Sequence, residues 1–427
     1  MTVERFMKKK QNSKEISLTN QNEILQAKVD EILNRGVVDI IDKENLQRRM
    51  QSGEKLRIKL GIDPTGPNIH IGRGSTLKKL REFQELGHQI ILIIGDGTAV
   101  IGDASDKVSL RPMLTPQQIA ENERNYLEQI GRIIDLDETE IHHNSEWIGR
   151  LTPSEWIKLA SIFTVQQIIE RENFAERIKR GDPVGLHETL YPLLQGWDSV
   201  NISADLEIGG TDQLFNLLAG RKIQEQFGQK PQDIMTLQLL AGTDGRKMST
   251  SWGNVILIID SPEEKYGKIM RISDQLIPVY MEIATDIPME RVKEVRVLLE
   301  EDKGNPMDYK KELAFNLVKL YDGRKAAIAA QDHFEKIVQE KELPEIIPTF
   351  TTESKIGIDD LVTLMIRSNI VKSKSEARRL IKQGGVKLQD EKIELSEKIA
   401  IVVPSEKEGG VIIRAGKRQF LRLISKK

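Results

Sequence analysis

The chain has 427 residues, enough for two or three domains, and its 39% hydrophobic and 30% charged content describes a globular protein rather than a disordered or fibrous one. Zero cysteines exclude disulfides and thiolate metal sites, six scattered histidines give no zinc pattern, and no apolar run approaches the length of a bilayer span. The 63 basic residues nearly balance 65 acidic ones, so a polyanionic partner has to be met by a local basic patch.

Residues 1–35 read as a polar tail followed by a lead-in helix from 24 to 33. The tail carries Lys8-Lys9-Lys10 without the apolar stretch of a secretory signal, so a cytoplasmic location is expected. Residues 36–245 read as an α/β core. Leu56, Ile58 and Leu60 alternate with Arg57 and Lys59 as in a half-buried strand, and Leu77, Leu80, Phe83 and Leu86 recur at helical spacing until Gly87. The continuous apolar run 90–94 is the next parallel strand. From about 115 to 200 the pattern is mainly that of a helical insertion, with a capping signal at Thr115-x-x-Gln118 and an apolar cluster at 162–165.

The sheet then resumes. Ile202, Ala204, Leu206 and Ile208 alternate with Ser203, Asp205 and Glu207, and Gly209-Gly210 leads into a helix carrying Leu214, Leu217 and Leu218. Two strand–glycine–helix turns facing one crevice mark the topological switch of a doubly wound sheet, and the active site is expected there. Residues 246–341 hold a cationic loop and charged amphipathic helices, and Pro344 and Pro348 mark a linker over 342–354. Residues 355–427 read as a small α+β module. Within it Ser373-x-x-Glu376 caps a helix whose Ala377, Leu380 and Ile381 face inward, Gly384-Gly385 ends that helix, and Ala415-Gly416-Lys417 turns a hairpin. Its basic face, with Arg378, Arg379, Lys382, Lys417 and Arg418, suits RNA.

Two segments carry chemistry. The first joins strand to helix through Gly61-Ile62-Asp63-Pro64-Thr65-Gly66-Pro67-Asn68-Ile69-His70-Ile71-Gly72-Arg73; Gly72 admits a ligand to the backbone, the helix start supplies partial positive charge, and Thr65 and His70 add donors. The second, Gly245-Arg246-Lys247-Met248-Ser249-Thr250-Ser251, offers a point charge and hydroxyls to a pyrophosphate. Taken singly, each also reads as an ordinary turn. Neither the Gly-x-x-x-x-Gly-Lys phosphate loop nor a dinucleotide fingerprint is present.

In this order and separation the two segments resemble the signature pair of class I aminoacyl-tRNA synthetases, His-Ile-Gly-His and Lys-Met-Ser-Lys-Ser. The finer resemblance is to the bacterial tyrosyl-tRNA synthetase family, through Gly-x-Asp-Pro-Thr, Ile101-Gly102-Asp103, Tyr191-Pro192-Leu193-Leu194-Gln195-Gly196-Trp197-Asp198 and Gly209-Gly210-Thr211-Asp212-Gln213. It implies a doubly wound Rossmann-like catalytic domain with a helical insertion through which the family dimerises, then a helical anticodon-side domain and a small alpha-L RNA-binding domain. The implied partners are L-tyrosine, ATP with Mg2+, tRNA(Tyr) and a second copy of the chain, with no zinc and no membrane. A tryptophan-specific synthetase and a noncatalytic RNA-binding paralogue are the alternatives.

The same resemblance implies residue roles. Thr65, His70, Arg73, Lys247 and Thr250 fall at catalytic positions, and Asp63, Gly72, Thr76, Gly210, Asp212, Met248, Ser249 and Ser251 at ATP-binding ones. Asp103, Tyr191 and Gln195 match the ammonium site, Asp198 the acceptor of the phenolic hydroxyl, and Gln213 a position near the reacting carboxyl group. Three positions depart from the family pattern. Arg73 replaces the second histidine of the first signature, Thr250 replaces the second lysine of the other, and Lys59, counted among the tyrosine-binding positions, stands where one bacterial subgroup places a phenol-binding tyrosine.

Overall fold

The computed structural model describes residues 22–103, 114–336, 347–368, 370–371, 373–388, 391–392, 401–405, 409–416 and 419–426. The chain divides into two compact units, Met1–Ala327 and Ile328–Lys427.

The first unit opens with helix α1 (22–34) and strand β1 (Val37–Ile41), then α2 (Lys43–Gln51), β2 (Arg57–Ile62), α3 (Ile71–Glu85), β3 (Gln89–Ile94) and the short α4 (Asp96–Ala99). After α5 (Pro116–Ile130) comes β4 (Thr139–His143), and then α6 (Ser145–Ile148), α7 (Pro153–Ala160), α8 (Val165–Ile169), α9 (Glu172–Arg180) and α10 (Tyr191–Asn201). β5 (Leu206–Gly210), α11 (Leu214–Gln226) and β6 (Asp233–Leu237) complete the sheet, whose order is β1-β6-β5-β2-β3-β4. Only β1 runs antiparallel, against β6. The other five strands form the doubly wound arrangement, and their order reverses between β2 and β5.

Helices on both faces explain why β3 is apolar throughout: Ile90, Ile91, Leu92 and Ile93 are all fully buried. The same covering corrects the half-buried reading of β2, since Lys59 is as buried as Ile58. Its charge is matched by Glu207, its register partner on β5. Two further expectations change. The stretch 115–200 is not an uninterrupted helical insertion, because β4 adds the outer strand of the main sheet, parallel to β3. The alternation from Ile202 is not strand from its start: α10 runs to Asn201, Ser203 turns the chain with φ 51, and β5 begins at Leu206. Ile202 and Ala204 are nevertheless buried, against Ile91 and Ile93, which explains the misleading pattern.

Helices α12 (Pro262–Ile269), α13 (Ile277–Ala284), α14 (Met289–Glu300) and α15 (Pro306–Asp322) follow. Buried Lys265 joins the first and last of them through Asp322 at 2.8 Å. Arg35 ties the end of α1 to α13 by donating to the carbonyls of Met281, Glu282 and Thr285. Helix α16 (Arg324–Phe334) spans the division between the units.

The second unit contains β7 (Thr349–Thr352), β8 (Lys355–Ile356), α17 (Ile358–Arg367), α18 (Lys374–Lys382), β9 (Val386–Leu388), β10 (Glu391–Lys392), β11 (Ile401–Val402), β12 (Val411–Ala415) and β13 (Gln419–Ser425). The larger sheet has the order β10-β9-β12-β13-β7 and packs on Leu361, Met365, Ala377 and Ile381. Residues 349–352, assigned to the linker from sequence, instead form a strand parallel to β13; their Thr and Phe side chains suit that role. The hairpin turn uses Gly416 at φ 66, and Ser373 caps α18 by accepting from the Glu376 amide.

Candidate active site

The ladder between β2 and β5 runs through Ile58↔Leu206 and Lys59↔Glu207, whereas that between β2 and β3 continues to Ile62↔Ile94. A crevice of about 890 Å³ lies at the carboxyl ends of these strands. Asp63, Thr65, His70, Gly72, Arg73, Thr76, Asp103, Tyr191, Gln195, Asp198, Gly210, Asp212, Gln213, Lys247, Met248, Ser249 and Thr250 all line it. Lys59 does not; it lies buried, bonded to Glu207, Gln195 and Ser199. The Ser251 side chain lies outside the described part of the chain.

The two chemistry-bearing segments are physically joined. Immediately after the cationic loop, the Ile71 amide donates to the Ile256 carbonyl and the Ile258 amide to the Ile69 carbonyl, both at 2.9 Å. Gly72 sits against Met248, for a Cβ there would approach the Met248 sulfur at 3.4 Å and the His70 ring at 3.0 Å. His70 caps α3: its Nδ1 accepts from the Arg73 amide at 3.3 Å, leaving Nε2 to bear the proton of a neutral ring. The Arg73 guanidinium donates to the Tyr126 hydroxyl at 2.9 Å. Lys247 pairs with Asp212 at 3.1 Å, linking the loop to the glycine turn after β5.

Buried Asn254 shapes that loop. Its oxygen accepts from the Ser249 amide at 2.8 Å, and its nitrogen donates to the Lys247 carbonyl at 3.0 Å and to Asp244 at 2.8 Å. Asp244 also holds Arg246, which lies over the Trp252 ring at 4.8 Å. These bonds keep the Asp244 carboxyl at about 2, below the usual carboxylate range, with the Asn254 contact foremost.

Deeper in the crevice, α10 presents Tyr191, Gln195 and Asp198 on one face, as their i, i+4, i+7 spacing requires. The Tyr191 hydroxyl donates to Asp63 at 2.9 Å, and Thr98 donates to the other Asp63 oxygen at 2.8 Å. Asp63 is half-buried by surface, but its depth below the crevice rim desolvates it and pushes its carboxyl up to about 6. Gly95 makes room for this cluster, since a Cβ would collide with the Asp63 carboxylate. Gln213 donates to Asp103 at 2.6 Å, with Arg171 3.7 Å from the same carboxylate.

Asp198 accepts from the indole nitrogen of Trp147 at 2.7 Å and from Asn144 at 3.4 Å. Burial dominates its electrostatics and pushes the carboxyl up to about 7. Sequence reading missed Thr98, Tyr126, Asn144, Trp147, Glu207 and Asn254. None lies in a recognisable motif except Glu207 and Asn254, whose polar side chains adjoin Gly209-Gly210 and the cationic loop.

Arg378, Arg379 and Lys382 are exposed on α18, and Arg378 pairs with Asp359 at 2.7 Å. Lys417 and Arg418 lie outside the described residues. Among the described residues no group of three or more His, Cys, Asp or Glu is arranged to hold a metal ion, and no helix is long and apolar enough to cross a membrane.

Comparison with known proteins agrees with this geometry. Residues 50–339 match the family described as tRNA synthetases class I (W and Y), and 340–423 match the tyrosine–tRNA ligase SYY-like C-terminal domain. The chain is 47% identical to a tyrosine–tRNA ligase of Thermotoga maritima, covering 92% of this chain and 96% of that one. It is 45% identical to that of Carboxydothermus hydrogenoformans, covering 93% and 98%. In fold it is similar to the tyrosyl-tRNA synthetase of Archaeoglobus fulgidus, solved with L-tyrosine, at TM-score 0.59 and 24% identity, covering 72% of this chain and 99% of that one. It is likewise similar to a truncated mitochondrial tyrosyl-tRNA synthetase of Aspergillus nidulans, at TM-score 0.58 and 19% identity, covering 73% and 94%. A central sheet that reverses at β2/β5, two signature segments closing on one crevice, and near-complete matches to bacterial relatives place the chain in the tyrosine–tRNA ligase family of class I aminoacyl-tRNA synthetases.

Proposed function

We propose that the protein activates L-tyrosine with ATP, forming tyrosyl-adenylate and pyrophosphate, and then transfers the tyrosyl group to the terminal adenosine of tRNA(Tyr). The observation that carries this reading is the crevice itself: a buried carboxylate, Asp198, lies in the same cavity as the joined His70 and Lys247 segments. The tyrosine carboxylate is already a nucleophile, so the protein has to align it with the α-phosphate and stabilise charge on the departing pyrophosphate. Thr65, His70, Arg73, Lys247 and Thr250 serve the phosphates, with Gly72, Met248, Ser249 and Ser251 shaping that end. Thr76, Gly210 and Asp212 serve the ribose side. Asp63 serves both the nucleotide and the amino-acid groups, Asp103, Tyr191, Gln195 and Gln213 serve the amino-acid head group, and Asp198 accepts the phenolic hydrogen bond.

In this reading Mg2+ enters as the counter-ion of ATP. Arg378, Arg379, Lys382, Lys417 and Arg418 contact tRNA. The protein works in the cytoplasm as a homodimer joined through the region between α7 and α10. Dimerisation is supported by Ile157, Val165 and Leu186, which are 72%, 72% and 81% exposed. Amino-acid-dependent exchange between pyrophosphate and ATP tests the activity: tyrosine drives it, while phenylalanine and tryptophan do not. Exchange driven equally by tryptophan, or none with any of the three, would reject the assignment.

A further inference from the structure

At the floor of the crevice, Lys59 and Glu207 hold a buried polar network in which only Gln195 has a role in the proposed mechanism. Lys59 and Glu207 face each other across β2 and β5 at 2.9 Å, and their side chains are 0% and 1% exposed. All three hydrogens of the Lys59 ammonium have acceptors: Glu207, the Gln195 carbonyl at 2.7 Å and the Ser199 hydroxyl at 2.8 Å. Glu207 in turn gathers Lys59, Gln195 Nε2 at 3.1 Å, Ser199 at 3.3 Å and Gln232 Nε2. Two glycines let the helices come this close. A Cβ on Gly220 would approach Glu207 and Ser199 at 3.2 Å, and one on Gly196 would meet the Gly220 backbone at 3.2 Å.

We infer that Glu207 and Lys59 are positioning residues that fix the amide orientation of Gln195, so that its carbonyl oxygen faces the crevice as an acceptor for the substrate's α-ammonium group. Gln195 lines the crevice, and its NH2 end is committed to a carboxylate that offers only acceptors. Turning the amide over would set its oxygen against the Glu207 oxygen. Lys59 holds the same residue from behind through its main-chain carbonyl, so both ends of Gln195 are tied to one ion pair. This makes the network a selector for the amino group of the substrate, and it explains why a lysine occupies position 59. The inference rests on the tyrosine-binding reading and adds to it.

The test is calorimetric binding of L-tyrosine and of 3-(4-hydroxyphenyl)propanoate, which lacks only the amino group, to the full chain. Wild type prefers tyrosine. Glu207→Gln presents a carboxamide that tolerates either orientation of Gln195, so tyrosine binding weakens about tenfold, the scale of one hydrogen bond to a charged group. Binding of the desamino compound stays within about twofold by the same reasoning. A melting curve checks folding. If that variant melts early, Lys59→Met/Glu207→Gln removes both charges together and avoids a lone buried ion; the same loss of preference is expected. Equal weakening of both ligands, or an unchanged preference in a folded variant, overturns the inference. Wild type binding neither compound would instead overturn the tyrosine reading on which it stands.

Discussion

Replacing Asp198 by asparagine isolates the group proposed to recognise the phenol. One Asp198 oxygen accepts from Trp147 at 2.7 Å and the other from Asn144 at 3.4 Å. An asparagine can keep its oxygen toward Trp147, but its NH2 group then faces the Asn144 NH2, and no charged acceptor remains for the substrate. At pH 8, above the titration of the Asp198 carboxyl, a hydrogen bond to a charged group contributes about 1.5–3 kcal/mol, so kcat/KM for tyrosine in the exchange reaction should fall by roughly 10- to 150-fold. Phenylalanine has no hydroxyl to lose, and its kcat/KM should change by less than about threefold on that argument. The tyrosine-to-phenylalanine ratio therefore falls by nearly the full factor. If the ratio is unchanged in a folded variant, the phenol does not meet Asp198 and the assigned binding direction of the substrate is wrong.

Burial sets a pH signature at the same residue. The folded Asp198 carboxyl titrates near 7, above its ordinary value, so over the window below 7 the folded state keeps a proton that the unfolded chain releases. The stability this proton confers is lost as pH rises through 7. The melting temperature of Asp198→Asn relative to wild type should accordingly climb between pH 5 and pH 8; a constant difference would show that burial does not perturb the group. Asn254→Ala removes three hydrogen bonds that shape the cationic loop, each contributing about 1 kcal/mol. The expected result is at least about a tenfold fall in exchange kcat with the KM for tyrosine within about twofold, because in the proposed mechanism the loop serves phosphate rather than the phenol. A raised KM for tyrosine with normal kcat would contradict that division.

The sequence by itself determined the strand–turn–helix of residues 57–85, the apolar β3 and the identity of both signature segments. These are local: periodicity, glycine placement and contiguous motifs are properties of neighbours along the chain. Tertiary structure alone decided what Lys59 does, because its partner Glu207 lies on another strand and a lysine in an alternating pattern looks solvent-facing until that strand is present. The strand at Thr139–His143 escaped notice for a related reason: its residues are all partly buried and its polar sequence carries no apolar alternation, so only pairing with β3 defines it. Likewise, the hydrogen bonds that Asp63 and Asp198 accept from Thr98, Asn144 and Trp147 join segments tens of residues apart. Burial and long-range hydrogen bonding are created by the fold, and the chemistry of the crevice depends on both.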